Sequence, residues 1–202
     1  MGITVDPTSE DQTRIHVVER IAVVGSPGSG KSTVAKALSS RLGIPHLELD
    51  SVFHQPGWQA LPTDEFQGVV RTFTGRPAWV VDGNYRHVRD LVWPRATAAI
   101  WLNYPFLTIF RRIFWRTVRR AVRGVELYAG NRESLRKSFF SRESILWWMI
   151  STYARRRREF NALRAENLFP QLTWLEFRRP RQAEEFLDHL AHPKRYFCER
   201  CD

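Results

Sequence analysis

Between an apolar run, Ile21-Ala22-Val23-Val24, and a helical stretch from Ser32 to Leu42 stands Gly25-Ser26-Pro27-Gly28-Ser29-Gly30-Lys31-Ser32-Thr33. Gly25, Gly30, Lys31 and Ser32 carry the spacing of a phosphate-binding loop, a glycine-rich turn that joins a strand to a helix. Each residue type has a chemical reason. Glycines let the backbone curl until its N–H groups point inward at phosphate oxygens. The N-terminus of the following helix adds a positive field. Lys31 places a cation on the β- and γ-phosphates, and the Ser32 hydroxyl is a ligand for Mg²⁺. Residues 25–33 are thus the expected cradle for ATP, with Lys31 also expected to serve catalysis.

The rest of the chain alternates strand and helix signals. Gly43 stops the first helix. Ile44 to Leu49 is a second strand candidate closed by Asp50, and Ser51 to Pro62 reads as a loop. Thr63 or Asp64 can cap a helix running to about Phe73. Ala78 to Val81 is a third strand candidate ending at Asp82-Gly83, Arg86 to Trp93 a short helix, and Ala98 to Leu102 a fourth strand. Phe106 to Val125 and Ser141 to about Leu163 read as long helices. Leu172 to Phe177 and Arg181 to Leu190 are the last strand and helix. This order predicts an α/β fold with a parallel sheet of about five strands flanked by helices. We divide the chain into an arm (1–19), a core carrying the phosphate and acceptor sites (20–105), an Arg-rich helical insertion or lid (106–165), the end of the core (166–191) and a tail (192–202).

Charge singles out one of these parts. The 202 residues hold 31 Lys plus Arg against 21 Asp plus Glu, and residues 106–165 alone hold fifteen basic and four acidic residues, a balance of +11 that accounts for the whole excess. Arginine forks suit phosphate recognition. No uncharged apolar run reaches the roughly 18 residues of a membrane span. Two cysteines are too few for a disulfide scaffold, and the first residues lack a basic-then-apolar signal, so a cytoplasmic protein is expected.

Two further stretches make the chain resemble nucleoside monophosphate kinase-type P-loop proteins. Asp82-Gly83-Asn84-Tyr85-Arg86 is similar to the adenylate kinase segment Asp-Gly-Phe-Pro-Arg. Leu49-Asp50 through Pro56-Gly57-Trp58, with Trp79 to Tyr85, resembles more nearly the adenylate kinase-related DNA topology modulation proteins. The resemblance covers residues 20–105 well. It implies an ATP-dependent phosphotransferase acting on a small molecule, which could itself be a nucleotide. It also implies roles: Asp82 beside the P-loop for Mg²⁺, Arg86 for the acceptor's phosphate, Asp50 for binding an acceptor hydroxyl or acting as its base, and Arg178 after the last strand for the adenine. Adenylate kinases have Pro where Tyr85 stands, and residues 126–140 show no lid sequence that aligns.

Phosphoryl transfer spreads charge over the transferred group, and arginines from a lid commonly stabilise it. Arg112, Arg116, Arg119, Arg120 and Arg123 share one helical face, and the i,i+4 pair Arg116 and Arg120 is the first choice for catalysis. Of the run Arg155–Arg158, either Arg155 with Arg158 or Arg156 alone can face inward, because successive helical residues are about 100° apart. The alternative is a nucleotide-binding or ATPase protein acting on nucleic acid through the same arginines. The kinase reading is preferred because no helix-turn-helix, zinc-finger or RNA-binding signature is present. His189, His192, Cys198 and Cys201 match a zinc set by type, but a lone Cys-x-x-Cys at a chain end is a weak signal.

Overall fold

A computed structural model of the chain describes residues 19–123 and 145–191, with the backbone alone at 58, 120–123, 145–149 and 191. Its elements run β1 (Arg20–Gly25), α1 (Lys31–Leu42), β2 (His46–Glu48), α2 (Leu49–Phe53), α3 (Thr63–Thr74), β3 (Trp79–Asp82), α4 (Arg86–Val92), β4 (Ala98–Leu102), α5 (Phe106–Arg123), α6 (Ile145–Ala165), β5 (Thr173–Phe177) and α7 (Pro180–Ala191). The five strands form one all-parallel sheet in the order β2-β3-β1-β4-β5. Among the described residues no helix is long and apolar enough to cross a membrane.

Strand β1 explains why the sheet is buried on both faces. Every second side chain of a strand points the same way. Ile21 and Val23 enter one core with Val34, Leu38, Ile113 and Phe186. Ala22 and Val24 enter the other with Phe66, Val88, Phe160 and Trp174. An uninterrupted apolar run is what a central parallel strand needs. Full burial of an Ile or Phe side chain contributes about 1.5–3 kcal/mol. Ile109, Ile113 and Phe160, from the segment expected as an insertion, are themselves built into these cores.

Three local features differ from the sequence expectation. The second strand is confined to His46–Glu48, and Leu49–Phe53 turns into a short helix instead of remaining strand and loop. Leu49 is buried, the Ser51 hydroxyl donates to the Glu48 carbonyl at 2.7 Å, and the His54 N–H donates to the Asp50 carbonyl at 3.1 Å. A hydroxyl that caps a nearby carbonyl favours a turn over a continued strand. Pro56–Trp58 adds a 3₁₀ turn inside the expected loop. The last helix starts one residue early, at Pro180, because Gln182 Oε1 accepts the Arg178 and Arg179 N–H groups.

Candidate active site

The loop after β1 is held from three sides. Gly28 has φ +74°, and a Cβ there would lie 2.2 Å from Ile113 Cγ1, so this position needs glycine both for its backbone and for the helix that packs on it. Gly25, at φ +151°, has the Leu102 carbonyl of β4 2.8 Å from where its Cβ would be. On the opposite side the Gly25 N–H donates to Asn84 Oδ1 at 3.2 Å, while Asn84 Nδ2 donates back to the Gly25 carbonyl. The Lys31 ammonium folds over the loop and donates to the Ser26 carbonyl at 3.3 Å. Burial lowers the Lys31 pKa. The Asp50 and then the Asp82 charge oppose that shift, and Arg156 and Arg116 add to it.

Three carboxylates converge here because parallel strands end at the same sheet edge. Asp82 ends β3 and is buried, with Oδ1 3.7 Å from His46 Nε2. Its Oδ2 is buried with no hydrogen-bond partner among the described residues. Glu48 ends β2 in register with Asp82. It accepts a hydrogen bond from Ser32 Oγ at 2.8 Å and pairs with Lys36 Nζ at 3.3 Å. Asp50, in the first turn of α2, accepts a hydrogen bond from the Tyr85 hydroxyl at 2.7 Å, and His54 Nε2 lies 3.5 Å from that hydroxyl. The Tyr85 ring packs against Phe53 at 4.7 Å and Phe66 at 5.2 Å. An orphaned buried carboxylate oxygen beside a serine hydroxyl and a second carboxylate is the hard oxygen donor set that suits Mg²⁺. Among the described residues no three His, Cys, Asp or Glu side chains form a closed metal cage.

The arginines divide into three groups. Arg112 Nη1 donates to the Ser29 carbonyl at 3.2 Å, and the guanidinium lies 5.5 Å from the Tyr104 ring centre. Burial pushes the Tyr104 hydroxyl up to about 12. Arg116 and Arg156 are half-buried, and both charges reach Lys31. Burial lowers the Arg156 pKa, opposed first by Glu159. Arg111, Arg119, Arg155, Arg157 and Arg158 are exposed, so Arg156 alone of the four-residue run turns inward. The Arg120 side chain lies outside the described residues, as do His192, Cys198 and Cys201. Among the described side chains of α5, Arg112 and Arg116 are the arginines brought to the loop.

Two expected ligand residues are engaged elsewhere. Arg86 Nη2 pairs with Glu159 Oε1 of α6 at 3.0 Å, and Arg89 Nη2 meets the same oxygen at 2.6 Å. Arg178 is mostly exposed and pairs with Glu176 Oε1 at 2.9 Å, a contact that raises its pKa. The geometry also adds residues that the sequence did not single out. Glu48 ends β2 two positions before Asp50, and a second carboxylate at the end of the expected strand was a usable signal. Asn84 gave no such signal, because its partner is the backbone of a residue 59 positions away.

No family model and no curated protein matches this sequence. Solved structures do. Shikimate kinase from Acinetobacter baumannii in complex with shikimate matches with a TM-score of 0.55 at 14% identity, over 91% of this chain and 97% of that one. Shikimate kinase from Bacteroides thetaiotaomicron matches with a TM-score of 0.51 at 15% identity, over 87% and 97%. With the five-stranded parallel sheet and its flanking helices, these likenesses define a P-loop kinase fold.

Proposed function

We propose that the chain is an ATP-dependent kinase that transfers the γ-phosphoryl group to a hydroxyl of a small molecule. The observation that carries this reading is the gathering, at one sheet edge, of the glycine-rich loop with Lys31 folded over it, of Asp82 at the end of β3 and of Asp50 just beyond β2, both of whose charges act on Lys31. Residues 25–33 would wrap the phosphates, with Lys31 across the β- and γ-groups. Ser32 and Asp82 would hold Mg²⁺, and Glu48 would orient the Ser32 hydroxyl. The ion, when bound, neutralises charge between the β- and γ-oxygens.

Asp50 is the base in this reading. As the acceptor oxygen forms its bond to phosphorus, the bond from phosphorus to the β,γ-bridging oxygen breaks and ADP leaves. The hydroxyl proton goes to Asp50, whose carboxylate is pre-set by Tyr85. Arg116, Arg156 and Arg120 are the proposed stabilisers of charge on the transferred group.

The adenylate kinase-like expectation of an acceptor phosphate on Arg86 requires that residue to leave Glu159. A hydroxyl acceptor on Asp50 requires no such exchange and is the preferred class. The adenine side retains Arg178 as its candidate. A screen of ATP consumption and product formation against nucleoside monophosphates, nucleosides and small alcohols tests the proposal. We expect a phosphorylated alcohol, with formation abolished in Lys31→Ala. Turnover unchanged in Lys31→Ala, or no phosphorylated product from any acceptor, would overturn the reading.

A further inference from the structure

Asn84 and Tyr85 are consecutive, yet their side chains grip opposite halves of the site. The Asn84 amide exchanges two hydrogen bonds with the backbone of Gly25, the first residue of the phosphate loop. The Tyr85 hydroxyl donates to Asp50 at 2.7 Å. We propose that these two residues form a clip coupling the donor and acceptor subsites, so that occupation of one strengthens binding at the other. This rests on the assignment of the two subsites given above.

The surroundings allow the clip little independent movement. Just before it, the Gly83 N–H donates to the Val23 carbonyl of β1 at 3.3 Å. A Cβ on Gly83 would stand 2.8 Å from Leu49 Cβ, so the segment is pressed against the residue preceding Asp50. The Tyr85 ring packs against both Phe53 and Phe66, which also touch each other. A shift of the loop entry at Gly25 is therefore passed through Asn84 to the Tyr85 hydroxyl and on to the Asp50 carboxylate. The amide of Asn84 also takes up the ladder on β1 after the β3 backbone has turned away, which leaves both polar groups of Gly25 satisfied. Neither residue touches the reacting atoms. Both act as positioning residues, and a coupling of this kind is reciprocal between the two ligands.

The test uses the full chain, a non-hydrolysable ATP analogue with Mg²⁺, and the acceptor identified by the screen. Calorimetric titration of the analogue should show binding weakened about tenfold in Asn84→Ala, which loses two hydrogen bonds, and unchanged in Tyr85→Phe. In the parent, the acceptor KM should fall about fivefold between sub-saturating and saturating ATP. Both variants should lose that fall, and Tyr85→Phe should raise the acceptor KM and, at saturating acceptor, the KM for ATP about fivefold, while binding of the analogue alone stays as in the parent. Tyr85→Phe keeps the ring and its packing, so it carries the test even where Asn84→Ala fails to fold. If the parent does not bind the analogue, the kinase reading falls and the clip with it. If the parent binds and phosphorylates but shows no coupling, or Tyr85→Phe keeps it, the clip alone is overturned.

Discussion

Lys31 sits where the folded chain disfavours its charge. Burial lowers its pKa below 10.5, and the Arg116 and Arg156 charges act in the same direction. Between the lowered value and 10.5 the unfolded chain binds more protons, so this residue makes stability rise with pH through that window. We expect Lys31→Met to abolish turnover yet melt no lower than the parent near neutral pH, with any advantage shrinking as pH approaches 10.5. Thermal melts across that range check it, and a lower melting point at neutral pH would show that the ammonium stabilises the empty fold. Gly28 makes the complementary case of a residue fixed by shape. Gly28→Ala must accommodate a methyl 2.2 Å from Ile113 Cγ1 at a positive φ, so nucleotide binding should be lost with stability lowered by about 1–3 kcal/mol. At this scale the phosphate loop was legible in the sequence because its chemistry is local. The Gly28 and Ile113 contact was not, since it joins residues 85 positions apart.

At the scale of elements, α4 and α6 are joined by one carboxylate. Arg86 and Arg89 stand three apart on α4, and both reach Glu159 of α6. The shared face of the two arginines can be read from their spacing, but their partner some 70 residues on cannot, and a phosphate is an equally good partner on paper. Burial would raise the Glu159 pKa, yet the hydrogen bonds from Arg89 and Arg86 outweigh it, and the net direction is downward. A depressed carboxylate contributes stability that is present above its unfolded value of about 4.5 and is lost as pH falls through the folded value. Glu159→Gln should therefore destabilise by about 1–3 kcal/mol near neutral pH, and the deficit should close on acidification. Denaturant titrations at the two pH values measure both. The same experiment on Arg86→Ala should show a smaller loss than on Arg89→Ala, because Arg86 is largely exposed and Arg89 is not.

Over the whole molecule, five parallel strands bring their C-terminal ends to one edge, and Gly25, Glu48 and Asp82 are there because each ends its strand. Alternating strands and helices made that architecture readable from sequence, and the 3.6-residue spacing of Ile109 and Ile113 already marked the face that α5 buries; where α5 and α6 dock was not readable, because the sidedness of a helix does not name its partner. The charge excess in residues 106–165 now separates by position. Arg116 and Arg156 turn inward and act on Lys31, while Arg155, Arg157 and Arg158 face solvent. A kinase and a nucleic-acid-dependent ATPase would use these sets differently. In a kinase the inward pair meets charge that develops in the transition state, and loss of such a contact costs roughly a hundredfold in turnover with little change in ATP affinity. In a nucleic-acid binder the exposed set carries the phosphate contacts, and each arginine removed reduces the salt slope of DNA affinity by about one. We expect Arg116→Gln and Arg156→Gln to lower kcat sharply, and a combined Arg155→Gln, Arg157→Gln and Arg158→Gln variant to phosphorylate its acceptor like the parent. Steady-state kinetics on both sets, with DNA binding measured across a salt series, distinguishes the two. Normal turnover in the inward variants together with a reduced salt slope in the outward one would assign the arginine helices to nucleic acid.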